Sequence, residues 1–392
     1  MGTIDIRFSN FDPEEFLREY WQKRPLLIRN PWPRWRNPVE PDELAGLACE
    51  DYVDSRLVTG STEVGDALGL EHGPLPDDRL DALGAKPWTL LVQAVDHHIP
   101  AVADLIDPFR FIPNWRIDDV MVSYATDQGG VGAHYDQYDV FLVQGLGRRR
   151  WELGDICSEE TPLLPHEDLR LLAEFEARQD WVLEPGDILY VPPGLAHKGT
   201  AIGHDCMTYS VGFRAPSRTE LVAGWTDEVL DQLTDDDRYV DADLKLQANP
   251  GLISEHALSR LHKMVMEKLG DEAAFARWIG KFATAPKGAA LDWQPEHTLS
   301  DEQVLPRFAC DAILVRNPAS RFAYVRWADG NVLLSVDGES YECCDETGAF
   351  AEKLCANTRI PVDPSETTAR PVRALILALV NRGSIAFDGD EG

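Results

Sequence analysis

Basic side chains are scarce in this chain. Its 392 residues carry 37 Lys+Arg against 67 Asp+Glu, a formal net charge of -30. Lysine is rarer still, with nine against 28 arginines. Such a field repels nucleic acid and anionic membranes and favours encounter with basic partners. A salty or high-GC source gives the same bias, so the charge agrees with a basic partner without singling one out. Long apolar runs are also missing: none approaches the roughly 18 residues of a membrane span. The start, MGTIDIRFSNFDPEEF, has no basic stretch leading into an apolar one, so no secretory signal is expected. It also lacks the Ser or Thr that a myristoylation start requires. Cysteine is sparse and scattered: seven residues, only Cys343 and Cys344 adjacent, and no CxxC. An odd count without that spacing points to reduced thiols and a cytoplasmic location rather than a disulfide frame.

What is present is ample material for packed interiors, with 44% hydrophobic residues and 11 Trp. The length exceeds one comfortable core, so two or three domains are expected. FDPEEFLREYWQKRP reads as a helix opened by Asp12 and Pro13. Residues 51 to 118 mix short strands and helices. His97 and His98 fall there in a helical context, where adjacent side chains diverge by about 100°, so they read as surface or packing residues rather than joint ligands. Strands dominate from Val120 to Ala215, interrupted by an expected helix over LPHEDLRLLAEFEARQ. After Pro216, SRTELVAGWTDEVLDQLTDD and ISEHALSRLHKMVMEKLGDEAAFARWIGKF show helical spacing. Two or three helices alone bury little, so an apolar face here suits pairing with a second copy. From about residue 283, Asp329-Gly330 and Asp337-Gly338 mark hairpin turns, and RPVRALILALVNRG reads as a buried helix ending at Gly383.

The chemistry is concentrated in two stretches. GGVGAHYDQYDVFLVQG contains His134 and Asp136, and PGDILYVPPGLAH contains His197. Two histidines and one carboxylate are the donor set that holds non-haem Fe(II) on one face and leaves the opposite positions open. HxD alone is a weak signal, but Gly186, Pro192, Gly194 and His197 fit the spacing of the second motif of cupin barrels. There a strand enters a tight Pro-Pro-Gly turn that aims a histidine inward. Residues two apart on a strand share a face, so His134, Asp136, Tyr138 and Val140 are expected to point inward together. The alternative is two satisfied core histidines, with Asp136 capping a turn. Gly147-Arg148-Arg149-Arg150-Trp151-Glu152-Leu153 reads as the next strand, with Arg149 on the face of Trp151 and Leu153. If that apolar face is the inner one, Arg149 needs a carboxylate. A dicarboxylate co-substrate held by a bidentate fork would supply it, and so would a buried Asp or Glu.

These motifs, with YWQKRPLLIRN, LLVQAVDHH, FIPNWRIDDVMVSYA and YSVGFRAP, resemble the JmjC-type, 2-oxoglutarate-dependent Fe(II) oxygenases. The chain is most similar to the bacterial ribosomal oxygenases that hydroxylate an arginine of a large-subunit ribosomal protein, the one numbered sixteen. The resemblance runs from about residue 20 to residue 215, and HYDQYDVF followed by GRRRW is its specific part. It implies a mainly β fold with α: a double-stranded β-helix (cupin/JmjC) barrel, a helical dimerisation segment and a winged-helix-like C-terminal domain. The boundaries expected are 1–216, 217–282 and 283–392. It implies His134, Asp136 and His197 as catalytic iron ligands, Arg149 on the distal carboxylate of 2-oxoglutarate, and Ser123 assisting Arg149. Fe(II), 2-oxoglutarate and dioxygen would together hydroxylate an unactivated C–H bond and leave succinate. The partners implied are a basic ribosomal protein and a second copy of the chain, with no membrane.

A winged helix is usually associated with DNA, but residues 281 to 392 carry 11 Lys+Arg against 17 Asp+Glu. DNA binding requires phosphate neutralisation, so this domain reads as structural or as a grip for a basic protein. Strand parity adds two substrate contacts. Asp119 shares a face with Met121 and Ser123, and Tyr138 follows Asp136 by two residues. A carboxylate and a phenol at a barrel mouth suit an arginine side chain; the alternatives are a strand cap and core packing. Two other functions stay open. One is histidine hydroxylation on another ribosomal protein; the other is a non-catalytic metal-binding cupin scaffold, which would not need Arg149.

Overall fold

The computed structural model describes residues 8–60, 68–84, 86–165, 169–287, 292–309 and 312–390. Positions 1–7, where the signal and myristoylation readings begin, lie outside them. Helix α1 (Pro13–Glu19) starts where Asp12 accepts from the backbone N–H groups of Glu14 and Glu15. Then come β1 (Leu26–Ile28), α2 (Pro41–Leu47), β2 (Ser55–Thr59), β3 (Gly69–His72), β4 (Trp88–Val92) and α3 (Pro100–Ala103). The strands that carry the site are β5 (Ile117–Ala125), β6 (Asp139–Ile156), β7 (Gln179–Leu183), β8 (Ile188–Val191) and β9 (Leu195–Phe213). All nine join one sheet in the order β1-β8-β6-β9-β5-β4-β2-β3, with β7 beside β6.

Strands β6 and β9 pair antiparallel over nearly their whole length, with register shifts at Gln144/Leu146, Leu146/Arg148 and Leu153/Ile156. The shifts bend this ribbon and roll the sheet into a double-stranded β-helix. Gly147 sits at the bend with φ 58°, where a Cβ would lie 2.6 Å from the carbonyl oxygen of Asp205. The GRRRW stretch is therefore the second half of β6 and not a separate strand, because the irregularity at the glycines bends the strand without ending it.

Alternation sorts the two faces of the sheet. Phe141 and Val143 of β6 and Val120 and Val122 of β5 enter the largest core, with the buried rings of Phe16, Phe109, Tyr190 and Phe213. Truncating one such ring costs about 3–5 kcal/mol. The other face of the same strands lines a cavity with Val140, Leu142, Asp119, Met121 and Ser123. The barrel is thus stabilised mainly on the side away from the cavity.

The helix expected over LPHEDLRLLAEFEARQ does not form among its described residues, and 166–168 lie outside them. Leu163 and Leu172 make a β-bridge instead. Leu171 packs with Val58, Leu68 and Leu91, whereas Leu172 packs with Ala133, Tyr135 and Ala196. Separate burial sites for adjacent leucines outweigh a helix propensity worth a few tenths of a kcal/mol per residue.

Beyond the sheet, α4 (Arg218–Asp231) opens on a capping box of Ser217 and Glu220. Helices α5 (Glu255–Leu269) and α6 (Glu272–Thr284) follow, broken at Gly270 and restarted by the Asp271 cap. Their shared core is small: Trp225, Val229 and Trp278. Helix α5 buries no residue. Helix α6 packs on the strands that follow, so it belongs with them as much as with α4 and α5. The C-terminal unit runs α7 (Asp301–Val304), β10 (Ile313–Arg316), β11 (Phe322–Arg326), β12 (Val332–Val336), β13 (Glu339–Cys343), α8 (Asp345–Ala356), β14 (Arg359–Pro361), α9 (Arg370–Asn381) and β15 (Ile385–Phe387). Strands β11 to β13 form the expected hairpins, and the unit has a core of its own. No helix among the described residues is long and apolar enough to cross a membrane.

Candidate active site

His134 precedes the regular strand, since β6 begins only at Asp139. An isolated bridge holds it in place: the His134 N–H donates to the His197 carbonyl at 3.0 Å, and the His197 N–H returns the bond at 2.8 Å. The Gly194 N–H donates to the Asp136 carbonyl at 2.7 Å, so the Pro-Pro-Gly turn clamps the HxD segment. His134, Asp136 and Tyr138 all reach the cavity as expected, but so do Tyr135 and Gln137. A loop imposes no two-residue alternation.

The two imidazole rings lie 4.3 Å apart between centroids, and His197 Nε2 is 3.6 Å from an Asp136 carboxylate oxygen. One donor atom from each of His134, Asp136 and His197 lies within 4.8 Å of the others. No other group of three or more His, Cys, Asp or Glu is so placed among the described residues. Each Nδ1 is already used: that of His134 donates to the Gly132 carbonyl at 3.0 Å and that of His197 to the Leu195 carbonyl at 2.9 Å. Those bonds fix the tautomers and leave both Nε2 lone pairs free. Burial first, and then the neighbouring His134, push the His197 imidazole down to about 4. It is therefore neutral at physiological pH, the form that binds a metal. Two nitrogens and one carboxylate oxygen on one wall fit Fe(II).

Arg149 lies in the same cavity, whose volume is about 610 Å³. Its side chain is buried beside Trp151, with the guanidinium carbon 5.8 Å from the ring centre. Nε donates to Cys206 Sγ at 3.4 Å, and Nη2 has no partner. No ion pair to Arg149 forms among the described residues, so the buried Asp or Glu that the sequence left open is not there. An uncompensated buried guanidinium is costly, and a carboxylate of a dicarboxylate co-substrate fits this end. Ser123 is buried on the neighbouring wall, opposite Thr208 in the β5–β9 register, and its hydroxyl donates to the Thr208 carbonyl at 3.4 Å.

The remaining wall is acidic. Asp119 is buried and accepts from the Gln93 side-chain amide at 2.9 and 2.8 Å and from Lys287 Nζ at 2.8 Å. It is therefore already paired within the protein. Burial pushes Asp119 upward, and Lys287 offsets part of that. The Asp96 carboxyl, raised by burial to about 8, accepts from the Val120 N–H at 2.8 Å and fixes the adjoining backbone. Tyr138 lines the same cavity and is 44% exposed as a whole residue. Burial of its phenol and the charges of Asp136 and Asp119 hold that group above its ordinary range, so it stays protonated as a donor. All seven residues singled out from the sequence thus line one cavity. Gln93 and Lys287, which share it, were not singled out. Gln93 stood within LLVQAVDHH; Lys287 carries no motif at all.

The JmjC domain family matches residues 104–221, and the ROXA-like winged helix family matches residues 266–386. The second match begins inside α5, ahead of the boundary expected at 283. The chain is 37% identical over 381 residues to the ribosomal protein uL16 3-hydroxylase of Escherichia coli, covering 96% of this chain and 97% of that one. A probable ribosomal oxygenase of Haemophilus influenzae is 34% identical, with 92% and 94% covered. Among solved structures, the ribosomal oxygenase YcfD of Escherichia coli in complex with cobalt and 2-oxoglutarate superposes with a TM-score of 0.85. It is 35% identical, and the match covers 98% of this chain and 100% of that chain. With a relative this similar along almost its entire length, the chain belongs to the JmjC-domain ribosomal oxygenases that carry a ROXA-like winged helix.

Proposed function

We propose that this protein is a 2-oxoglutarate- and Fe(II)-dependent hydroxylase acting on an arginine side chain of a large-subunit ribosomal protein, uL16. The observation that carries this reading is the unpaired Arg149 guanidinium in the cavity that also holds the His134, Asp136 and His197 donors. A metal-binding scaffold would have no use for it. The three donors hold the metal, Arg149 takes the distal carboxylate of the co-substrate through a fork, and the Ser123 hydroxyl steadies that carboxylate. Bound Fe(II) with 2-oxoglutarate supplies the means to activate dioxygen and oxidise an unactivated C–H bond. The apolar walls Leu91, Met121, Val140 and Leu142 keep bulk water from the reacting side chain.

Asp119 and Tyr138 are the proposed substrate contacts: the carboxylate pairs the guanidinium, and the phenol flanks its stem. A neutral imidazole would not satisfy a buried carboxylate, which favours arginine over histidine as the target. Asp119→Asn and Tyr138→Ala should each lose at least tenfold in hydroxylation of an arginine peptide, the least expected from about 1.5–3 kcal/mol for a bond to a charged group. Uncoupled 2-oxoglutarate turnover should persist. Equal loss of both activities would mean damage to the iron site. For the reaction as a whole, ribosomal proteins from cells with and without the gene are compared by mass spectrometry. One added oxygen on a uL16 arginine, present only with the gene, is expected; an oxygen on a histidine of another ribosomal protein instead would move the assignment to histidine hydroxylation.

We divide the chain into an oxygenase domain at 1–216, a dimerisation segment at 217–282 and a winged-helix-like domain at 283–392, with α6 bridging the last two. Leu258, Leu261, Val265 and Met266 of α5 are exposed, and apolar surface grouped in this way marks an association site. The protein should scatter light as a homodimer, and Leu261→Glu with Val265→Glu should yield a monomer. A monomeric wild-type protein would rule that use of α5 out. The acidic C-terminal domain serves as structure or as a grip for a basic protein rather than for DNA. Work on a ribosomal protein sets the enzyme in the cytoplasm.

A further inference from the structure

Lys287 lies just past α6, on irregular chain, and its ammonium reaches the acidic wall of the active-site cavity. Nζ is 2.7 Å from Asp118 and 2.8 Å from Asp119. These two carboxylates are unequally provided for. Asp118 also accepts from Arg214 Nε at 3.0 Å and from Arg321 Nη2 at 3.2 Å. Asp119 has no other cation among the described residues, only the neutral amide of Gln93. Departure of Lys287 would leave Asp118 well paired and Asp119 buried with its charge uncompensated. The lysine side chain is 35% exposed, whereas that of Asp119 is 4% exposed. The cation can therefore move into water once another cation has reached Asp119, but the carboxylate cannot.

We propose that Lys287 is a resident occupant of the substrate's cation site, holding Asp119 until an incoming guanidinium takes its place. This rests on Asp119 as the substrate carboxylate. The exchange admits only a side chain that brings its own positive charge, since a neutral one would strand a buried carboxylate. It also favours a guanidinium over an ammonium, because two parallel N–H bonds replace one point contact. Lys287 thus sets both the affinity and the selectivity of the site from outside the barrel.

The test uses the full-length protein with Fe(II), 2-oxoglutarate and an arginine-bearing uL16 peptide that the wild-type enzyme hydroxylates. Lys287→Met keeps the length and removes the charge. If Lys287 occupies Asp119 in about nine molecules of ten, its removal should lower KM for the peptide about tenfold. Both kcat and uncoupled 2-oxoglutarate turnover should hold. Lys287→Arg keeps the charge and adds a fork, and should raise KM. Opposite movements by the two variants are the signature of a competitor. A raised KM in Lys287→Met would mean that the lysine positions Asp119, and an unchanged KM that it is a bystander; either overturns the proposal. Should Lys287→Met fail to fold, Lys287→Arg decides alone: a raised KM supports exchange, and a lowered or unchanged one ends it. Asp119→Asn separates the two levels. Full peptide hydroxylation in that variant would remove the underlying assignment, whereas loss there with unmoved KM in both lysine variants would remove only the exchange.

Discussion

Substituting Ala for His134 or Asp136 is expected to abolish both peptide hydroxylation and 2-oxoglutarate decarboxylation while leaving a folded protein. Each change removes one of three protein donors, and the remaining pair cannot hold a first-row metal in a defined geometry. The fold should survive for reasons of place. His134 contributes its backbone to the bridge with His197, and Ala keeps both of those bonds. The side-chain loss is one hydrogen bond, to the Gly132 carbonyl, worth about 1 kcal/mol. The aromatic core lies on the other face of the sheet and is untouched. Circular dichroism and a thermal melt close to wild type, with decarboxylation at background in added Fe(II), is the expected pair of results. A variant that decarboxylates at the wild-type rate would show that the ligand set is wrong.

Arg149→Ala should raise the apparent KM for 2-oxoglutarate by about 30- to 5,000-fold, corresponding to about 2–5 kcal/mol for a truncated buried charge pair. Arg149→Lys should recover only part of this, since it keeps the charge and loses the fork. The unliganded protein adds a second signature. Its Nη2 is unsatisfied, so removing the guanidinium relieves an uncompensated buried charge instead of breaking a pair. The melting temperature without co-substrate should therefore hold or rise in Arg149→Met, while the increment from added 2-oxoglutarate disappears. A wild-type KM in the Ala variant would count decisively against the role. A fall in the unliganded melt would mean that Arg149 has a structural partner after all.

Much of this site is legible in sequence because two-residue parity is a local property. Asp119, Met121 and Ser123 alternate with Val120 and Val122 on β5, and Arg149 alternates with the exposed Arg148 and Arg150 on β6. Parity fails where no regular strand exists, so Tyr135 and Gln137 join the cavity beside His134 and Asp136. The strap after Leu163 looks helical because Leu169, Leu171, Leu172 and Phe175 include pairs three and four apart, yet Leu171 and Leu172 answer to different parts of the barrel. That information is tertiary and leaves no periodic trace. Lys287 is the extreme case. It is an ordinary lysine after a helix, and the packing of α6 against β11–β13 brings it 169 residues along the chain to Asp118.

The β6–β9 ribbon also works as a ruler. Leu153 pairs with His197, and Arg149 pairs with Ala201, so the two anchors sit four residues apart on one ladder, about 13 Å along the strand. Such a separation is quantised. It changes only in whole residues, and an odd step would turn the arginine out of the barrel. The nearest permitted alternative is thus a displacement of about 7 Å, far more than the length one extra methylene adds to a dicarboxylate. With Arg149 in the role proposed for it, selection among dicarboxylates by chain length should follow from ladder register, and softening the cavity walls should leave it intact.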